Sequence, residues 1–396
     1  MAEGTAAPRL HPRIIPLVAL VIGHATGDAC VNFIPALWPE FQAKIGITNT
    51  QIGVVTGLVS FTTNFGQPLF GYLSDRFRIP HMVTLGPAIV GLFIGLMALP
   101  NDVFTLGLLY MVAGIGTALF HPQGATLTGR ASGSRKGLGM AVFSAGGSVG
   151  YGAGAIIGVL LFERFGWPGM FGATVLGGVT SALIFSVDPG ARYPDTTAET
   201  MHLRTHVVPY LRQLGALFAL VSLRSLVITV FNTFTPLGAS EWGESTRTGA
   251  WLLTGMIVAG GVGNFAGGWA SDHLGRRSVT VGSLVLCAPA FAASIHWGLP
   301  AAYVLLPVAG LLVQAAVSVN IVQGQELMPG AQSVASSLTM GAAWGVGGLA
   351  LPVAGAAADS WGVLQMLAVT SWLPLLAAIL AFWVPERALA EADDTA

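Results

Sequence analysis

Charge is the scarcest commodity in this sequence. Of 396 residues only 17 are Lys or Arg and 18 are Asp or Glu, 9% together, where a soluble domain carries roughly 25%. So few charges cannot cover a water-facing surface. With 53% hydrophobic residues and a mean hydropathy of +0.71, the solvent for most of the chain is lipid. A net charge of −1 excludes a broad basic surface for nucleic acid. Cysteine is nearly absent too: Cys30 and Cys287 each sit inside an apolar run, which reads as two small buried hydrophobes and excludes a disulfide framework. A signal-peptide cleavage pattern is missing ahead of the first apolar run, so that run is expected to stay as a membrane helix. Nucleophile motifs, His/Cys sets at metal-ligand spacing and catalytic carboxylate pairs are missing as well. No enzymatic activity, metal or cofactor is therefore expected.

What is present is a series of apolar runs, each long enough to cross a bilayer. They fall at about 15–38, 51–72, 82–99, 104–127, 138–161 and 168–187, and again at about 211–236, 249–270, 279–297, 301–325, 333–356 and 362–384. Between the two sets, 188–209 is polar and rich in Pro, Asp and Thr, the composition of a solvated linker. The expected fold is an all-α integral membrane protein with twelve transmembrane helices in two pseudo-symmetric six-helix bundles, 1–187 and 210–396. Of the 17 basic residues, 13 fall in segments on one side and three, Lys44, Arg164 and Arg247, on the other. Lys and Arg collect in cytoplasmic loops, so both termini and the linker are expected in the cytoplasm. The remaining one, Arg224, lies mid-span.

Two internal repeats share one offset. Gly71-Tyr72-Leu73-Ser74-Asp75-Arg76 returns as Gly268-Trp269-Ala270-Ser271-Asp272-His273, 268 − 71 = 197 residues later, with Arg276 and Arg277 following. Glu163-Arg164-Phe165-Gly166-Trp167 is echoed by Asp359-Ser360-Trp361-Gly362, where 359 − 163 = 196. Parallel six-helix repeats of this kind build one large class of transporters.

Several stretches carry a closer likeness. They are Gly23-His24-Ala25-Thr26-Gly27-Asp28, Phe120-His121-Pro122-Gln123-Gly124, Phe143-Ser144-Ala145-Gly146-Gly147-Ser148-Val149-Gly150, Gln325-Glu326-Leu327-Met328-Pro329-Gly330 and Gly341-Ala342-Ala343-Trp344-Gly345-Val346-Gly347-Gly348-Leu349. With them the chain resembles the major facilitator superfamily, and within it the fosmidomycin-resistance-like group of bacterial exporters. The resemblance implies a bacterial inner-membrane transporter that exports a drug or metabolite by alternating access, with spans one, four, seven and ten around a central cavity. It implies a cytoplasmic gate at Asp75, Arg76, Asp272, Arg276 and Arg277. The family usually has Glu where Gln123 stands and often Asn where Gly27 stands. Gln carries no proton, which removes the span-four carboxylate from any protonation role here. Expected partners are the lipid bilayer, a small-molecule substrate and protons, with the chain acting as a monomer.

Ionisable groups at bilayer depth are costly unless they face a cavity or a partner. Asp28 and His24 lie in mid-span one, four residues apart and so on one helical face; Arg224 lies in mid-span seven. The repeat offset maps Arg224 to 224 − 197 = 27, beside Asp28, so the two charges are expected to flank a polar midplane site. Asp28, aided by His24, would carry the proton, and Arg224 would bind an anionic group of the substrate. A fixed Asp28–Arg224 ion pair holding the halves in register is the competing reading. His121, Gln123, Asn232, Asn320 and Gln323 are further substrate-binding candidates or else interhelical hydrogen-bonding groups. Glu326, at the end of span ten, is placed with the gate. A proton symporter for uptake and a non-transporting sensor on the same fold stay open as alternatives.

Overall fold

Lipid offers no partner to a peptide N–H or C=O, so a spanning segment must satisfy its backbone internally, and helix does so at any sequence position. The computed structural model describes residues 14–77, 81–189, 211–328, 335 and 338–385, and among them the regular structure is helical throughout. The helices are α1 Ile14–Ala36, α2 Asn49–Phe77, α3 Met82–Leu96, α4 Val103–Ala131, α5 Lys136–Phe165, α6 Phe171–Val187, α7 Leu211–Glu241, α8 Thr246–Leu274, α9 Arg276–His296, α10 Leu299–Leu327, α11 Leu338–Trp361 and α12 Val363–Trp383. Ten of these columns are long and apolar enough to cross a membrane. The others are α2, which carries Ser60, Thr62, Thr63, Asn64 and Gln67, and the shorter α3. The expected linker lies outside the described residues except for Asp188 and Pro189.

Helix ends are fixed by local chemistry. Asp102 and Ser245 cap α4 and α8 by accepting the backbone N–H of Thr105 and Thr248, and these bonds hold the exposed Asp102 carboxyl below its ordinary range. Gly46, Gly166, Gly275 and Gly362 turn the chain with positive φ just past helix ends. A π-turn at Leu338–Ala342 opens α11.

The packing repeats between halves. α2 and α3 lie on α4 as α8 and α9 lie on α10, and α1 lies on α5 as α7 lies on α11. Glycine makes the α1–α5 seam. Gly146, Gly150, Gly154 and Gly158 recur every four residues on one face of α5, and a Cβ on any of them would collide with Val21, Ala25, Ala29 or Phe33 of α1. The halves meet where α2 lies on α11 and α5 on α8.

At the end of these interfaces remote from Asp272 and Glu326, two acidic residues bridge the halves. The Asp359 carboxylate, closing α11, accepts the N–H groups of Asn49 (2.9 Å) and Thr50 (2.8 Å) and the Thr50 hydroxyl (2.6 Å) at the start of α2. Glu163, closing α5, pairs with Arg247 at the start of α8. These contacts are copies of each other: 359 − 163 = 196 and 247 − 50 = 197. The second sequence repeat is thus a pair of latches, one on each interface. Thr246 adds a bond to Glu40 (2.5 Å). An exposed ion pair contributes little, whereas a carboxylate on unpaired helix N–H groups contributes about 1 kcal/mol. Asp359→Ala is accordingly expected to destabilise the closed end by about 1 kcal/mol and lower the melting temperature in detergent. Asp359→Asn, which keeps one acceptor, should cost less, and Glu163→Gln less than Asp359→Ala.

Candidate functional site

In mid-α1 three ionisable side chains converge. His24 Nε2 lies 3.4 Å from Asp28 Oδ2, and His121 Nε2 of α4 lies 3.2 Å from Asp28 Oδ1. The ligand atoms of the three residues lie within 4.8 Å of one another, close enough to share a cation. Each member is placed by a local cause. Four-residue spacing stacks His24 over Asp28 on one face of α1. His24 lies parallel to Phe143 of α5, with ring centroids 4.2 Å apart, and edge-on to His121 at 4.8 Å. Gly147 makes the room, because a side chain there would run into the His24 ring.

The tautomer of His24 follows from chemistry. Its Nδ1 is 2.8 Å from the Phe143 carbonyl oxygen, which can only accept, so Nδ1 carries the hydrogen. In the neutral ring Nε2 is then a bare acceptor facing Asp28 Oδ2. Two acceptors at 3.4 Å are reconciled by a proton, carried either on Nε2 as imidazolium or on Oδ2 as carboxylic acid. His121 can donate to Oδ1. The arrangement accommodates one proton between His24 Nε2 and Asp28 Oδ2.

The site reaches toward the second half through α5. Tyr151 lies within electrostatic range of Asp28 and within hydrogen-bonding reach of Asn232 on α7, and its backbone carbonyl accepts the Asn32 amide at 2.5 Å. Phe143, Gly147 and Tyr151 were not among the residues expected from sequence. Phe143 and Gly147 lie in a stretch that carried family likeness alone, and nothing in the spacing of Tyr151 pointed to Asp28.

The structure corrects several expectations. Asp28 pairs with the two histidines, and no Asp28–Arg224 ion pair is formed among the described residues. The offset of 197 equates Arg224 with Gly27 and equates Ser225 with Asp28; one residue is about 100° of helical rotation, which turns the arginine to another face. Arg224 is 1% exposed. Its guanidinium lies 5.7 Å over the Trp344 ring of α11, and Nε and Nη1 have no hydrogen-bond partner among the described residues. A buried charge with no partner costs several kcal/mol. His121, named from sequence as a substrate-binding or interhelical hydrogen-bonding group, lies against Asp28. Asn320 and Gln323 turn inward within the C-terminal half: Thr280 donates to Asn320 at 3.3 Å, and Gln323 donates to the Pro385 carbonyl at 3.3 Å. Gln123 sits two residues past His121 on the far side of Pro122, half-buried.

Of the expected gate, Asp272, Arg276 and Glu326 form one cluster. Arg276 donates to Asp272 at 2.6 Å, to Ser271 at 2.7 Å and to Glu326 at 3.0 Å, tying α8, α9 and α10 together. Arg277 donates to the Val384 carbonyl at 3.0 Å. These bonds lie within the C-terminal half. Asp75 and Arg76 close α2, and their side chains lie outside the described set.

Paired helical bundles meeting along two interfaces, with an ionisable cluster at mid-membrane depth, define a membrane transporter. The chain belongs to the Major Facilitator Superfamily, whose family model matches residues 19–348. It is 26% identical to the uncharacterised MFS-type transporter YfnC of Bacillus subtilis, over 93% of this chain and 92% of that one. It is also 26% identical to the fosmidomycin resistance protein of Escherichia coli, over 94% and 93%. Among solved structures, a bacterial homologue of the human lysosomal transporter Spinster, in an inward-facing and occupied conformation, superposes with a TM-score of 0.79 at 14% identity, covering 95% of this chain and 97% of that one. The nucleoside transporter NupG superposes with 0.76 at 11% identity, covering 94% and 98%.

Gly147→Ala, ordinarily a gain in helix propensity of about 1 kcal/mol, is expected to destabilise the protein and displace the His24 ring. Comparing its melting temperature with that of Gly178→Ala, where a Cβ meets nothing within 4 Å, separates the clash from the propensity.

Proposed function

We propose that this transporter exports a small organic drug or metabolite in exchange for protons across the inner membrane of a bacterium. The observation that carries the reading is the His24–Asp28–His121 cluster, whose hydrogen-bond pattern calls for one exchangeable proton between His24 and Asp28. A proton site in mid-membrane gives the proton gradient a handle on the conformational equilibrium, since a ligand shifts two states only by its differential affinity for them. The Escherichia coli relative is a fosmidomycin resistance protein, which favours export over uptake.

On this reading the halves rock about the cluster. The latched end, with Asp359 and Glu163, is the outer end; this follows from the basic residues, which place the termini in the cytoplasm. The Asp272–Arg276–Glu326 cluster lies at the inner end and belongs to the gate that closes when the outer latches open. Small residues along α1–α5 and α2–α11 let the helices slide.

Asp28→Asn is expected to abolish proton-driven transport in proteoliposomes and leave the protein folded, with a melting temperature close to wild type. His121→Ala should lower proton-driven flux at least 10-fold. Wild-type flux in the Asp28→Asn protein would overturn the proton assignment. Direction is read in inside-out vesicles: accumulation of a substrate only when the lumen is acidic supports exchange for protons, and accumulation only when the lumen is alkaline supports uptake symport.

A further inference from the structure

His121 lies 93 residues from Asp28 in sequence, so no short motif signals what the fold assembles: two imidazoles and a carboxylate, the ligand set of many open first-row metal sites. The Asp28 carboxylate turns one oxygen to each ring, Oδ2 to His24 Nε2 at 3.4 Å and Oδ1 to His121 Nε2 at 3.2 Å. A four-coordinate ion with bonds of about 2.0–2.2 Å holds its ligand atoms roughly 3.3–3.6 Å apart, and both separations are close to that. All three ligand atoms lie within 4.8 Å of one another, so a shift of about 1.4 Å at most (4.8 − 3.4) between the two rings closes the set around one ion. His121, the most exposed of the three side chains at 26% against 13% for His24 and 18% for Asp28, has the room to make it.

A second observation points to a metal ligand. A ligating histidine ordinarily donates its remote ring N–H to a backbone carbonyl or a carboxylate, which fixes the tautomer and aims the lone pair of the other nitrogen at the ion. His24 has this arrangement: Nδ1 is 2.8 Å from the Phe143 carbonyl oxygen, and the ring is stacked on Phe143 at 4.2 Å. Its Nε2 lone pair faces Asp28 Oδ2, so neutral His24 and ionised Asp28 present two electron-pair donors to each other. A proton resolves that one pair, whereas a divalent metal engages all three side chains at once. Each of the three keeps part of its surface exposed, which leaves an entry path.

We propose that His24, Asp28 and His121 form a binding site for a first-row divalent transition cation, of which zinc is the type, with the remaining coordination left to water. Imidazole with carboxylate suits such ions and not Mg2+ or Ca2+, which take sets of oxygen ligands. The metal site goes beyond the proton reading above and stands without it, since it follows from the ligand geometry. The two meet at one point: a bound metal occupies the place of the shared proton.

The test is isothermal titration calorimetry on the untagged, metal-free full chain in detergent, with ZnCl2 and MgCl2 as probes. Saturable binding of one Zn2+ per chain is expected, at least 10-fold tighter than Mg2+. Asp28→Asn and His121→Ala should each weaken it at least 10-fold. His273→Ala, which removes an exposed histidine lying against Trp269 on α8, should bind Zn2+ as the wild type does. CoCl2 serves as the spectroscopic probe: the wild-type protein should shift and intensify the visible absorption of Co2+ relative to the aquo ion, as imidazole ligation does. That readout needs no variant, so a substitution that fails to fold leaves the site testable. No saturable Zn2+ binding, Mg2+ bound as tightly, an unaltered aquo-ion Co2+ spectrum, or Zn2+ binding undiminished in both Asp28→Asn and His121→Ala would overturn the proposal, and Asp28-dependent proton flux would then still stand. Zn2+ binding intact in a protein that shows no proton-driven flux would overturn the proton reading and leave the metal site in place.

Discussion

A polar group inside a bilayer has to find its partner within the protein, because lipid supplies none. Every level of this structure bends to that constraint. The backbone meets it by being helical wherever it crosses. Side chains meet it either locally, as Thr229 does by donating to the Ser225 carbonyl one turn back, or across helices, as Ser318 does with Asn264. Among the places where the constraint is not met are Arg224 Nε and Nη1 and the hydroxyls of Ser222 and Ser225 on α7.

Close helix approach is the second consequence. With no hydrophobic drive to push helices together in lipid, association depends on contact and on interhelical hydrogen bonds. The four-residue glycine ladder of α5 brings α1 near enough for the Phe143 carbonyl to reach His24 Nδ1. That one bond decides which nitrogen of His24 faces Asp28, and with it the proton count of the cluster. Packing and chemistry are therefore one feature: the small residues that let α5 lie against α1 also set the protonation logic of the site.

The contacts between halves divide into two kinds. Along α2–α11 the surfaces interlock through small residues, with Gly53 against Leu351 and Gly355 against Asn49, and at the rim a few polar bonds hold the end closed. Rim bonds are individually weak and replaceable by water, which suits an interface that must open. The Arg276 cluster, by contrast, ties helices of a single half. Symmetry extends to the latches: acid closes one arm helix and meets the first turn of a helix in the other half, twice, at matching positions.

Hydropathy and the offset of 197 were enough to read the membrane class, the helical spans, the duplication and the depth of Asp28, His24 and Arg224, because each depends on position along the chain alone. The pairing of Asp28 with His24 was legible too, since a spacing of four is local geometry. The partners contributed by other helices were not. His121, Phe143 and Tyr151 come to Asp28 through the tilt and closeness of α4 and α5, and no spacing encodes that. The competing reading of a fixed Asp28–Arg224 pair is not met for a definite reason: a one-residue difference under the repeat leaves depth almost unchanged, about 1.5 Å, but rotates the side chain about 100° around the helix. Sequence thus determined how deep each ionisable group lies, and only the tertiary structure decided what it faces, because azimuth and neighbour are properties of packed helices and not of a single one.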